Sequence, residues 1–468
     1  MTGRELVSRG VIAALDTVRS LRPSMREGER HFADGLQFRR RTLSWSDEQK
    51  HAWQLQRLRD IVRRAAEDSA FYRARLSAAG LDPRADFSFR DFARLPALDR
   101  DDVAANINAM VSPRVAPSLR RRDSTGGSTG VPLAYFSGPR ERGWRLSGIE
   151  HFMERLGVPR WVSTAFLWGH HIDARERTQW REQLREVLTA QTWYDCFRLS
   201  PDLLLRYHAS MERQAPTCLV AYASALDALA STLLANGLTA HYPTRRIVTG
   251  AEKLWPQQRA RVEQAFSAPV HERYGSREIG LIGMQLDPRV SLAFDIDWAN
   301  VLVEPADDGD DAEILVTKLQ ADAMPMLRYR IGDVARFAAG EGRDGGALRL
   351  VHILGRKVDR LYHPDGRWLD GHGAVHLMKD FPLREFQIRQ DADYGVEIQV
   401  VPAEGYGAAH GERIVAVLRQ NLPGLSMHVT TVDAIARTSA SKWRPVLSHA
   451  PESNRAQQDK QLAPEHVA

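Results

Sequence analysis

Between residues 161 and 276 the chain alternates short apolar runs with helical periodicity, and that alternation restricts the fold more than any other feature. Trp161–Trp168 reads as a buried strand, followed by a helix over Ser200–Gln214. Then come a strand at Thr217–Tyr222, a helix starting near Ser224, a strand at Arg246–Thr249 and a helix at Pro256–Phe266. Val270–Tyr274 gives another strand, broken at Gly275. Apolar strands of this length separated by helices require a largely parallel sheet covered on both faces, hence an α/β fold. Ligand sites in such sheets form at the carboxyl ends of the strands. That places Trp168, His170, His171, Tyr222 and Ser224 as candidate pocket residues. Two adjacent histidines diverge and no third ligand is in view, so a metal site at His170–His171 is not expected.

On either side of this region the texture differs. Residues 1–95 are helical and strongly charged, with Ser46 placed to cap a helix through Trp53, Leu58, Ile61 and Val62. Leu6, Val7, Val11, Ile12, Leu15 and Val18 have helical spacing and read as a helix docked on the domain, rather than one lying on a membrane. From Val301 the strands become short and separated by polar turns, which indicates antiparallel sheet. A boundary is expected at Gly355–Arg356. A small α+β domain follows over 356–450, with strands at Phe386–Arg389, Val396–Val401 and Met427–Val432 and a helix at Glu412–Asn421. The polar tail 451–468 reads as disordered.

Composition excludes several classes. The chain has 468 residues with 43% hydrophobic content, enough for more than one packed domain. Its net charge of +5 is too small to argue for nucleic-acid binding. Cys196 and Cys218 are its only cysteines, so there is neither a disulfide framework nor zinc spacing, which fits a cytoplasmic protein. No run reads as a membrane span.

Within the first third lies Ser124-Thr125-Gly126-Gly127-Ser128-Thr129-Gly130. Three glycines and four hydroxyl residues in seven positions can wrap backbone N–H groups around an anion. The same composition also suits a plain loop between strands. No Gly-Lys-Ser/Thr follows, which rules out the P-loop of nucleotide kinases. Four further stretches follow in order: Gly250-Ala251-Glu252 after Thr249, Tyr274-Gly275-Ser276-Arg277-Glu278, Arg330-Ile331-Gly332-Asp333, and Gly355-Arg356 leading to Asp359. Ser439-Ala440-Ser441-Lys442 closes the series.

Taken together, these stretches resemble the adenylate-forming superfamily of acyl-CoA synthetases and ligases, in its phenylacetate–CoA ligase and CapK-like branch. The resemblance covers residues 90 to 450. It implies a large N-terminal adenylate-forming domain (1–355) and a small mobile C-terminal domain. It implies ATP and Mg²⁺ as cofactors. The activity implied is activation of a carboxylic acid to an acyl-adenylate, with transfer to CoA or to an amine or hydroxyl acceptor, a carrier protein in trans included. By the same resemblance Ser124–Gly130 holds the ATP phosphates, Gly250–Glu252 lies beside the adenine and Tyr274 packs on it. Glu278 is implied to hold Mg²⁺ and Asp333 to accept the ribose hydroxyls. Gly275, Ser276 and Arg277 belong to the same signature, Arg356 stands at the hinge, and Lys442 bridges the acid and the α-phosphate. Three positions depart from the pattern: Leu133 follows Pro132 where relatives carry lysine, Arg277 replaces a common threonine, and Ala440 replaces a common glycine. A non-catalytic nucleotide-binding partner protein is the alternative. The mixed aromatic and polar pocket candidates favour a small or aryl acid over a long fatty acid.

Overall fold

The computed structural model describes residues 3–19, 23–125, 133–169, 190–196, 199–243, 245–309, 311–356, 360–369, 371, 374, 377–378, 381–435 and 445–451. Of residues 3–4, 15–19 and 23–26 it describes the backbone only. Its helices are α1 (Gly3–Arg19), α2 (Pro23–Arg41), α3 (Asp47–Asp68), α4 (Ala70–Ala78), α5 (Phe89–Phe92), α6 (Arg100–Met110) and α7 (Pro139–Arg155), then α8 (Pro201–Gln214), α9 (Ala223–Ala235), α10 (Pro256–Phe266) and α11 (Ala408–Asn421). The strands are β1 (Arg121–Ser124), β2 (Ala134–Ser137), β3 (Thr164–Trp168), β4 (Gln191–Asp195), β5 (Cys218–Tyr222), β6 (Arg246–Gly250), β7 (Val270–Ser276), β8 (Gly280–Met284), β9 (Phe294–Ile296) and β10 (Val301–Pro305). They continue with β11 (Asp311–Lys318), β12 (Tyr329–Phe337), β13 (Arg349–Arg356), β14 (Leu361–Tyr362), β15 (Trp368–Leu369), β16 (Leu383–Gln390), β17 (Val396–Pro402), β18 (Met427–Thr431) and β19 (Val446–Ser448).

The chain divides into two compact units. One comprises Met1–Ile331 and Ala335–His352, the other Gly332–Val334 and Ile353–Ala468. The large sheet has eleven strands in the order β10-β11-β12-β13-β9-β8-β7-β6-β5-β3-β4. Strands β4, β3, β5, β6 and β7 run parallel, as the alternation of strands and helices requires. β8 then reverses direction against β7, and β10 pairs antiparallel with β11. The parallel and antiparallel regions are therefore one continuous mixed sheet. Apolar side chains cover both faces of its parallel part. Leu167, Leu219, Ala221 and Ile247 pack under α9 and α10 on one side. Val220 and Val248 pack with Phe152 and Leu156 of α7 and its C-cap on the other. The second unit holds a mixed sheet ordered β18-β17-β16-β19, with α11 supplying buried Ile414 and Leu418. This is the α/β fold with a small α+β unit that the sequence predicts.

Local chemistry accounts for the helix boundaries. Ser46 caps α3 in a capping box with Gln49, and Ser200 caps α8 ahead of Pro201. Two expectations change. β7 runs through Gly275 to Ser276, because the glycine keeps the ladder going through a bulge instead of ending it. α1 docks, but through its polar side: Glu5 and Ser8 are buried while Leu6 and Val7 are exposed. Thr217 Oγ1 donates to Glu5 Oε1 at 3.0 Å, so a buried hydrogen bond joins the helix to the domain, with Val11 and Ile12 half-buried. Among the described residues no helix is long and apolar enough to cross a membrane.

Candidate functional site

The strands that flank the Gly/Ser stretch in sequence form a hairpin. β1 and β2 pair antiparallel from Arg121↔Ser137 to Ser124↔Ala134. The pairing is closed at the neck, where Thr125 N donates to Leu133 O at 3.0 Å and Leu133 N donates to Thr125 Oγ1 at 2.9 Å. Gly126, Gly127, Ser128, Thr129 and Gly130 lie outside the described residues, as do His170, His171 and Lys442. Leu133 is 2% exposed and belongs to the core, which is why no lysine is available at this position. Arg100 Nη2 of α6 donates to Thr125 Oγ1 at 3.3 Å and brings positive charge to the neck. Arg121 of β1 forms an ion pair with Asp123 at 2.9 Å.

A second hairpin, β7–β8, carries Tyr274 to Glu278. It is so tight that a Cβ on Gly275 would stand 2.1 Å from Gly280 O, so only glycine fits there. Ser276 Oγ accepts the Ile279 N–H at 3.3 Å and closes the turn over Arg277 and Glu278. Tyr274 lies opposite Gly283 across the strand pair, so the position directly across from its ring carries no side chain. Phe294 meets the ring edge-on at 6.2 Å.

The two hairpins are joined. Tyr135 of β2 donates its hydroxyl to Arg277 O at 2.7 Å, and Arg145 Nη2 of α7 donates to the same oxygen at 2.6 Å. Burial pushes the Tyr135 phenol up to about 12, so it stays a neutral donor. Below it lies a buried ion pair, Lys318 Nζ to Glu141 Oε1 at 2.8 Å, and Lys318 also donates to Glu278 O at 3.3 Å. Glu278 is 6% exposed, and among the described residues no cation pairs with its carboxylate. A hard oxygen ligand kept free of lysine and arginine fits a divalent cation whose remaining ligands are phosphate oxygens and water. Among the described residues no group of three acidic, His or Cys side chains forms a protein-only metal cage.

The third part lies at the carboxyl ends of the parallel strands. Ala251 adopts a left-handed φ of 67° just after β6. That turn sends Glu252 back over α9, where its Oε2 accepts the Ser224 N–H at 2.8 Å. Tyr222 pairs with Gly250 in register, and its ring lies 4.2 Å from that of Trp168. The structure therefore brings Gly250, Ala251 and Glu252 together with Trp168, Tyr222 and Ser224. Asp333 follows Gly332, whose φ is +80°, and pairs with Arg356 through Nε at 3.4 Å. These two sequence-selected residues meet within the second unit.

Sequence reasoning missed Tyr135, Glu141, Arg145, Arg273 and Lys318. None lies in a recognisable pattern, and each meets a partner across more than 20 residues of chain.

No family model matches the chain. Among curated proteins, protein CapK of Staphylococcus aureus is 22% identical over 318 residues, covering 66% of this chain and 68% of that one. Phenylacetate-coenzyme A ligase of Escherichia coli K12 is 23% identical over 335 residues, covering 68% and 73%. Among solved structures, 2-hydroxyisobutyryl-CoA ligase in its postadenylation state, in complex with R3-HIB-AMP, matches with a TM-score of 0.66 at 18% identity, over 90% of this chain and 93% of that one. The fold is that of the adenylate-forming ligases. By sequence, CapK and the phenylacetate-CoA ligases are distant relatives of the chain.

Proposed function

We propose that this protein activates a carboxylic acid with ATP. A carboxylate oxygen of the acid attacks the α-phosphorus, the bond to the β-phosphate oxygen breaks, and pyrophosphate leaves an acyl-adenylate behind. The acyl group then passes to CoA or to an amine or hydroxyl acceptor, with AMP as the leaving group. The observation that carries this reading is Glu278, a buried carboxylate with which no cation pairs among the described residues, on a hairpin tied through Tyr135 to the β1–β2 strand pair that flanks the Gly/Ser stretch.

The reaction joins two anions, so its barrier is charge repulsion and positioning. Mg²⁺ bound at Glu278 supplies neutralisation of phosphate charge. In this reading the 124–130 loop grips the β- and γ-phosphates with backbone and hydroxyl donors, since Leu133 provides no ammonium. Gly250–Glu252 and Tyr274 hold the adenine, Asp333 accepts the ribose hydroxyls, and Lys442 stands between the acid and the α-phosphate. Trp168, Tyr222 and Ser224, with His170 and His171, line the acyl pocket, and the proposed compartment is the cytoplasm.

The test is acyl-AMP formation, measured by mass spectrometry with a panel of acids, alongside pyrophosphate release. Lys442→Ala is expected to lose about 10²-fold or more. If no acid is activated and ATP binding is unchanged in Lys442→Ala, the protein is a nucleotide-binding partner and the ligase reading is wrong.

A further inference from the structure

Four positions form one row across the parallel strands at their carboxyl ends. Tyr222 pairs with Gly250. Trp168 follows the last paired residues of β3 and β5, and Arg273 follows those of β6 and β7. Gly250 contributes no side chain to this row. The Arg273 side chain lies over it, and a Cβ there would come within 3.3 Å of Nε. The guanidinium thereby reaches the Trp168 ring, 5.4 Å from its centroid, and that ring in turn packs on Tyr222.

Arg273 is partly buried, yet it has no ion pair and its guanidinium has no hydrogen-bond acceptor among the described residues. Other arginines of this unit that cross between elements have partners: Arg39 pairs with Asp297, Arg259 with Glu272 and Arg261 with Asp227, and Arg140 donates to Gln320. The ionisable groups facing Arg273 are the Cys218 thiol and the Tyr222 phenol. Burial pushes both up to about 12, so both are neutral at physiological pH. None of its nitrogens is among the buried polar atoms without a partner, so the guanidinium is open to a ligand while its face rests on an aromatic ring. What completes such a group is a planar anion with two acceptor oxygens.

We propose that Arg273 is a specificity-determining residue of the acyl pocket and receives a second carboxylate on the acid to be activated, which is therefore a dicarboxylic acid. This rests on the ligase reading above and narrows its substrate class. Trp168 and Tyr222 hold the fork in plane, and Gly250 is the position whose bareness lets it cross.

Two measurements separate this proposal from the reading beneath it. Calorimetric titration of the full chain uses four- to six-carbon linear diacids and isophthalate against butyrate, pentanoate, hexanoate and benzoate, which needs no chemistry. At least one diacid should bind about 10²-fold tighter than its monoacid. Arg273→Met, with unchanged circular dichroism, should abolish that preference, and Arg273→Lys should restore part of it. Acyl-AMP formation with the same pairs should show the loss in kcat/KM for diacids alone. Equal binding of diacids and monoacids by the native protein, no diacid binding, or an equal loss on both classes in Arg273→Met overturns the proposal. Diacid binding with no acyl-AMP formed from any acid leaves Arg273 as an anion-binding residue and overturns the ligase reading instead.

Discussion

Glu304 shows how far the fold can move a single residue from its ordinary chemistry. Burial pushes its carboxyl up to about 7, opposed by Arg328, whose Nε lies 3.4 Å away. The folded state therefore binds the proton more tightly than the unfolded chain. Stability from this group is full below the ordinary carboxylate pKa and is lost as pH rises toward 7. Glu304→Gln removes that term. Relative to the native protein, the variant should gain stability between pH 5 and pH 8, on the order of 1–3 kcal/mol. Urea midpoints of both proteins at the two pH values read this directly, and a difference that does not change with pH refutes it. His151 acts in the opposite sense. Burial pushes its imidazole down to about 4, so its contribution is lost as pH falls from 6.5. The two slopes oppose each other in the native protein, and only the difference between variant and native isolates one group. At the proposed site, Glu278→Gln should lower acyl-AMP formation about 10²- to 10³-fold, as loss of one electrostatic contact does elsewhere. Asp333→Ala should raise the KM for ATP, and full retention of ATP-dependent activity would refute the ribose assignment.

At the scale of elements, the site is two hairpins held by a helix. Gly275 is where that arrangement is least tolerant, because a side chain there meets backbone at 2.1 Å, not the movable end of a side chain. Gly275→Ala should destabilise the protein by roughly 1–3 kcal/mol through overpacking. It should also lower acyl-AMP formation in the fraction that remains folded. Thermal melts and activity per folded molecule check the two effects separately. Tyr135→Phe is the milder companion. It removes one donor to Arg277 O and leaves Arg145 in place, so roughly 0.5–1.5 kcal/mol is expected. Ser46→Ala, far from the site, removes the capping box of α3 and should cost about 1 kcal/mol without changing activity.

Across the large unit, a buried ion pair fastens α2 to the segment between two strands of the sheet. Arg39 of α2 donates through Nε and Nη2 to both oxygens of Asp297, at 2.9 and 2.8 Å, and each side chain is 3% exposed. Arg39 Nη1 also donates to Ser147 Oγ of α7 at 2.9 Å, so one guanidinium joins α2, α7 and the β9–β10 connection. Phe38, Trp45, Trp53, Trp144 and Trp298 pack around this point, with Phe38 and Trp53 4.8 Å apart. Arg39→Ala leaves Asp297 buried and uncompensated, and should cost about 3–5 kcal/mol. Equilibrium unfolding checks it, and a loss below 1 kcal/mol would mean that the aromatic cluster alone holds the helices.

The sequence by itself determined the alternation of strands and helices, the helix caps and the order of the glycine-bearing turns. Each is set by residues within a few positions of one another: Ser46 with Gln49, Pro256 at a helix start, Ala251 beside Gly250. From these the α/β class and the membership of Tyr274, Glu278 and Asp333 in one series were legible. Tertiary structure alone decided what surrounds them. Leu133 is core, not a phosphate ligand, because its strand packs inward. On α1, Glu5 meets Thr217, more than 200 residues away, which supplies it a donor. Lys318 is committed to Glu141, and among the described residues no other cation pairs with Glu278, while Arg273 lies across a bare glycine on the neighbouring strand. Burial and charge pairing depend on which distant segments meet, and no local pattern encodes that.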